Sequence, residues 1–424
     1  MPRPDPRLPP GPQAGALSQT VALHRDPLGT LRAAQARHGD VFTIRLATAR
    51  PLVIVTVPEE VRPLLHADPG AARAGSARRT MLPLASPRSS WGADEPRHQA
   101  ARAPLEGALG AGAVDPRRDA IAAIAERHAA AWPRGRPFRL LPRVRTLAAE
   151  LFVRLVLRIE DDQRAAAAVT ALRRMLWTPG NPPLTVPGEG DGLMGAIGRR
   201  AFDRRHAPLS RLVAGEAGRR RALADPGDDV LGSLVRAGGR TGEGIADELL
   251  VVLAAAQEPA GIALTRVLER AAQSEAAEAA LARGDGSADA VVRETLRLHP
   301  PLLPTLRRLA APREVAGHRL PAGVVVMLPV PLLHRDPRAF ADPDAFRPDR
   351  WAAADPDAGP FVPFGCGARR CVGEHLSRAY FASAVPAILS RVRLRAVGAE
   401  PEPMVVRGTT LVPRRSALTV ATLR

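Results

Sequence analysis

"FVPFGCGARRCVGEHL", residues 361–376, holds the only two cysteines of the chain, Cys366 and Cys371, five positions apart. Two thiols at this spacing can be a disulfide, half of a metal site, or one ligand beside one bystander. Structural zinc takes about four ligands, commonly in paired knuckles, and no second cysteine pair exists. A disulfide here would close a very small loop, and the sparse cysteines point to a reducing compartment. The flanking residues favour a single ligand. Phe364, Gly367, Arg369, Cys371 and Gly373 fit the pattern F-x-x-G-x-R-x-C-x-G. Gly367 permits a tight turn with positive φ. Gly373 has no Cβ, so a flat, wide group can lie close over the backbone. Cys371 stands just ahead of the helical stretch "VGEHLSRAYFASAVPAIL". A thiolate placed there gains from the helix dipole and from unpaired N–H groups.

The chain around this motif has 424 residues, 46% of them hydrophobic and 24% charged. That is long enough and apolar enough for a large folded core. The formal net charge is +17, and arginine supplies all of the positive charge because the sequence contains no lysine. High arginine, alanine, glycine and proline usage is what a GC-rich genome produces, so basicity alone carries little functional weight. Aromatic residues are 3% of the chain, and no arginine run with interleaved aromatics occurs, which argues against nucleic-acid binding. An acidic protein partner suits such a surface better. The proline-rich start, residues 1–20, has no apolar run of the kind a signal peptide needs, and the sequence suggests no membrane span. A cytoplasmic location and a monomer are the resulting expectations.

Residues 26–39 start on Asp-Pro, stop on Gly and read as a helix. Residues 41–47 and 52–57 are β-branched and read as a hairpin. Residues 58–66 return to helix. From about 97 to 300 apolar residues recur at helical spacing. The stretch 178–192, "TPGNPPLTVPGEGDG", is read as an ordered loop or lid. Short strands are expected at 324–330 and towards the carboxyl end. The expected fold is mainly α with small β-sheets, an α+β arrangement in one large domain spanning 21–424.

The cysteine motif resembles that of the cytochrome P450 haem-thiolate monooxygenases of the soluble bacterial type, and the resemblance covers nearly the whole chain. It implies that Cys371 is the axial ligand of the iron of haem b and that Phe364 packs near the sulfur. Cys366 falls on a variable position. Glu294 and Arg297 in "ETLRLHP" match an E-x-x-R pair, and "DAFRPDRW" supplies Arg350; the resemblance implies a buried lock formed by these three. His98 and Arg102, four apart, match a pair that holds a haem propionate. Arg308 matches a further propionate arginine, with Arg307 as its rival, and Arg369 inside the motif is another. Forked guanidinium donors suit carboxylates because they reach both oxygens.

One stretch departs from the family. The helix expected over 243–271 should carry an acid followed by a threonine, and the sequence there reads Ala255, Ala256, Gln257, Glu258, Pro259, Ala260. Glu258 fits the acid, but Pro259 stands at the threonine position. Proline removes one N–H and frees the carbonyl four residues earlier, that of Ala255. The function implied is a monooxygenase that inserts one atom of O2 into a hydrophobic small molecule. NAD(P)H would supply electrons indirectly, through an acidic ferredoxin and its reductase. The missing threonine supports an alternative, a haem-thiolate protein with peroxide-driven or isomerase-like chemistry. Loop residues at 67–92 and 177–192, among them Met81, Trp91, Leu184 and Val186, are expected to shape the substrate space.

Overall fold

The computed structural model describes residues 7–47, 51–68, 70–79, 84–177, 193–352 and 359–423. The 178–192 stretch, Met81, Leu184 and Val186 therefore lie outside the described residues.

The amino-terminal third is built on local signals. Asp26 caps the helix Pro27–His38 by accepting from the Gly29 N–H at 3.0 Å, and Gly39, at φ 84°, ends it. The hairpin pairs Val41–Ile44 with Leu52–Val55, in the register Val41 opposite Val55. All eight residues are buried, which fits β-branched side chains packed on both faces. Val325–Pro329 joins parallel to the second strand, Pro304–Leu309 pairs antiparallel with it, and Ala72–Arg73 closes the sheet. The proline-rich start lies against this sheet: the Pro9 and Pro10 carbonyls accept from the Thr43 side chain and N–H, at 2.7 and 3.0 Å.

Helices form the larger layer. The central helix Gly242–Gln273 starts at a Thr241 cap and runs through Pro259 as one α-helix. It packs on Leu140–Phe152 and on Leu193–Arg221. Among the described residues it is the one helix long and apolar enough to cross a membrane, but 67% of its apolar window is buried, as befits a core helix. The cysteine helix, Glu374–Arg391, packs against Arg118–Ala130. Tyr380 joins it to the core, its ring 5.8 Å from that of Phe152 and 5.5 Å from that of Phe381. Leu147, Leu249, Leu264 and Ile388 are wholly buried in the same core. Truncating one such leucine to alanine costs about 2–5 kcal/mol.

A buried charge cluster ties the helix Gly286–Leu298 to the segment before the cysteine loop. Arg297 donates to both oxygens of Glu294, at 2.9 and 2.8 Å, and neither side chain is exposed. Arg297 also donates to the carbonyls of His334, Pro343 and Ala345. Arg350 Nε, Trp351 Nε1 and the Arg347 N–H complete the donors to Glu294. A buried ion pair holds when its remaining donors and acceptors are satisfied. Here several loop carbonyls are spent on that, which fixes the approach to residue 361.

Candidate haem-thiolate site

The cysteine loop folds back on itself. The Cys371 N–H donates to the Phe364 carbonyl at 2.8 Å, and the Arg370 N–H to the Gly367 carbonyl at 3.0 Å. Gly365 and Gly367 have φ of 70° and 66°. A Cβ on Gly367 would also lie 3.2 Å from the Leu65 carbonyl oxygen. Glycine is therefore required there twice over, by conformation and by space. Gly373, at φ −92°, instead caps the cysteine helix, and a Cβ there would meet Cys371 Sγ at 3.9 Å. Phe364 packs on the main core with the Arg378 guanidinium 5.8 Å from its ring centroid. His334 anchors the start of the loop, where its Nε2 accepts from the Val362 N–H at 3.0 Å.

Neither cysteine forms a disulfide, and the two have opposite surroundings. Cys366 is buried beside Leu65, Val326 and Val362. Cys371 is solvent-accessible, at the start of the cysteine helix. Burial pushes its thiol above the ordinary value; the Gly373 N–H, Arg102 and Arg78 pull the other way, and Glu374 adds to the rise. A metal cation bonded to the sulfur deprotonates it outright. No group of three His, Cys, Asp or Glu side chains suited to an ion occurs among the described residues. Cys371 can act only as a single protein ligand, with the remaining ligands brought by the bound group.

Several arginines lie near Cys371. Arg369 is turned inward, its side chain 6% exposed. It donates to Glu95 at 3.1 and 2.9 Å and to the Ala93 carbonyl at 2.8 Å, while its buried Nη1 has no partner. Arg102 Nη1 donates to the Arg370 carbonyl at 2.8 Å, and its Nε to Glu106. His98 is buried, with Nδ1 3.1 Å from Glu95 but lacking hydrogen-bond geometry. Burial, then Arg369, brings His98 down to about 4, so the ring is neutral at pH 7.

Arg307 and Arg308 part company here. Successive strand residues point to opposite faces. Arg307 is 4% exposed and joins the cluster; burial and then Arg369 depress it to about 10. Arg308 turns outward and donates to the Gly323 carbonyl at 3.0 Å. The inward arginine of this strand is thus Arg307, not the expected Arg308. Arg78 is a further member that the sequence reading missed. It lies over the Trp91 ring and donates to the Trp91 carbonyl, and burial followed by Arg307 and Arg369 lowers it to about 9. Arg78 and Arg307, both depressed by burial and by neighbouring guanidiniums, together with an unpartnered inward donor on Arg369, fit a group carrying carboxylates at its edge.

Val252, Ala255, Ala256 and Pro259 form one accessible face of the central helix, while Leu253 and Gln257 are fully buried. None of these four carries a hydroxyl. Glu258 forms an ion pair with Arg145. Thr265 is buried and bonds the Gly261 carbonyl at 2.7 Å. Separately, a small cavity of about 100 Å³ lies between the cysteine helix and Gly286–Leu298, lined by Val292, Phe361, Phe364 and Val385; Cys371 does not border it.

Fold and site together define a mainly helical protein whose cysteine loop lies among several buried arginines. Comparison with known proteins agrees. The family profile described as Cytochrome P450 matches residues 288–420. A Mycobacterium tuberculosis protein bearing the name cytochrome P450 135B1 is 30% identical over 97% of this chain and 90% of its own length. The cyclooctat-9-en-7-ol 5-monooxygenase of Streptomyces melanosporofaciens is 29% identical over 90% of this chain and 88% of its own length. Among solved structures, the retinoic acid-bound cyanobacterial CYP120A1 superposes with a TM-score of 0.82 at 18% identity, covering 98% of this chain and 99% of that one. The chain belongs to the cytochrome P450 family.

Proposed function

We propose that this protein is a haem-thiolate monooxygenase that inserts one oxygen atom of O2 into a hydrophobic small molecule, with electrons from a separate acidic ferredoxin and its reductase. The observation that carries the reading is Cys371 at the start of its helix with Arg78, Arg102, Arg307 and Arg369 close enough to act on one another's charge. Haem bound there supplies the oxygen-activating chemistry, assisted by electron density from the thiolate. The protein's own residues do the rest. Cys371 would be the protein ligand to the iron, with the Gly373 N–H steadying its sulfur. The arginines would hold the carboxylates of the bound group, and neutral His98 would add a ring donor without adding charge. Glu258, tied to Arg145, is the carboxylate nearest the Pro259 face and the candidate proton carrier. A hydrophobic substrate suits the apolar face Val252, Ala255 and Ala256, and the monooxygenase relative acts on an apolar alcohol by its name.

The test is a reduced, carbon monoxide difference spectrum. Cys371→Ser loses the thiolate band and the activity, while Cys366→Ser keeps both. The reverse result would move the ligand by five residues and overturn the assignment. A second reading, peroxide-driven or isomerase-like chemistry, is favoured by one observation: no hydroxyl stands on the accessible face of the central helix. Oxygen-driven product formation below the peroxide-driven level would support it.

A further inference from the structure

Glu248 lies on the central helix, outside the site described above, and is completely buried. Its carboxylate accepts from the Ser90 N–H at 2.8 Å and from the Ser90 hydroxyl. Arg240 Nη1 stands 3.3 Å away, and on the outer side Arg88 pairs with Asp247 at 2.7 Å. The three residues after Ser90 then present their carbonyls in turn. Trp91 O accepts from Arg78 at 3.2 Å, Gly92 O from Arg79, and Ala93 O from Arg369 at 2.8 Å. This strap has no slack. A Cβ on Gly92 would lie 2.3 Å from the Ala85 and Ser86 carbonyl oxygens, and one on Gly75 would lie 2.3 Å from Ala93 O. A side chain at either position would strike backbone, so glycine lets these segments lie close together.

We infer that Glu248 is a positioning residue: by gripping Ser90 it sets the carbonyls of 91–93, and through them the aim of Arg78 and Arg369 at the anionic group. The inference rests on the proposed haem site. A remote carboxylate that fixes the direct contacts of a bound group is a recurring device, and its loss typically weakens retention about 10–100-fold.

The experiment follows haem transfer from the loaded protein to excess apomyoglobin, with the carbon monoxide spectrum confirming thiolate ligation in each variant. Glu248→Leu, close in volume, is expected to release haem about 10–100-fold faster. Glu248→Gln, whose amide oxygen still accepts from the Ser90 N–H, is expected to stay near the parent. Ser90→Ala removes one hydrogen bond and should release several-fold faster, the scale of about 1 kcal/mol. Parent-like release from Glu248→Leu, or release from Glu248→Gln as fast as from Glu248→Leu, overturns the inference. If Glu248→Leu fails to fold, parent-like release from Ser90→Ala does so instead. A parent chain that takes up no haem would overturn the proposed function first, which separates the two failures.

Discussion

His334 and Arg307 show how much a single residue decides here. His334 is fully buried, and burial, followed by the charge of Arg297, brings its ring down to about 3 from an ordinary 6.5. Arg335 adds to the depression, while backbone contacts at Leu296 and Arg297 oppose it. The folded ring refuses a proton that the unfolded chain accepts. Its contribution is therefore complete above pH 6.5 and is lost as pH falls towards 3, at no more than about 1.4 kcal/mol per pH unit. Urea unfolding between pH 6.5 and 4 should show a flatter acid limb for His334→Asn than for the parent; equal slopes would exclude His334 as an acid-sensitive anchor. At the strand, Arg307→Gln should weaken haem retention and Arg308→Gln should not, as read by haem titration. The cysteine motif was legible because its residues act within one loop, so spacing encodes geometry. Choosing between Arg307 and Arg308 required the strand's facing, and Arg78 had no spacing signal among sixty arginines.

Elements show the same division between near and far. The Glu294–Arg297 pair could be read at i, i+3, and Arg350 through the family pattern. The carbonyls of His334, Pro343 and Ala345 that complete the lock could not, because they come from folded loops. The central helix was legible in extent and in its departure at Pro259. Its side-chain partners were not: Arg145, on another helix, claims Glu258, and the Gln257 Nε2 reaches only the Arg145 carbonyl. Proton delivery on this face should depend on that pair. Glu258→Gln is expected to slow oxygen-driven turnover far more than peroxide-driven turnover, since peroxide already carries its protons. Pro259→Thr should alter the share of electrons lost as hydrogen peroxide, with Pro259→Ala as the control that restores an N–H without a hydroxyl. Coupling is read as product formed per nicotinamide oxidised. Three variants indistinguishable from the parent would reduce this segment to packing.

Over the whole molecule, the net charge of +17 sets the terms for a partner. Arg369 is turned inward, whereas the guanidiniums of Arg370 and Arg378, each 40% exposed and paired with Glu374, face outward beside the cysteine loop. If an acidic ferredoxin docks there, its reduction of this protein should slow steeply with salt, because exposed charges are screened over about 8 Å at 0.15 M. Arg370→Glu should slow reduction and leave substrate affinity unchanged; salt-independent kinetics would count against docking by charge. The mainly α architecture was legible from helical periodicity. The sheet was not, because its strands join residues about 40, 300 and 325 in an order that only the folded chain reveals.

Tyr380 is the only tyrosine in the sequence, and it sits where the cysteine helix meets Phe152. Its hydroxyl is buried without a partner, and burial holds the phenol protonated well beyond its usual range. Fluorotyrosine incorporated at this position would therefore give one fluorine resonance for the entire protein, placed behind the cysteine loop. Its chemical shift could follow changes on that side during ligand binding, reduction or partner docking without any engineered label.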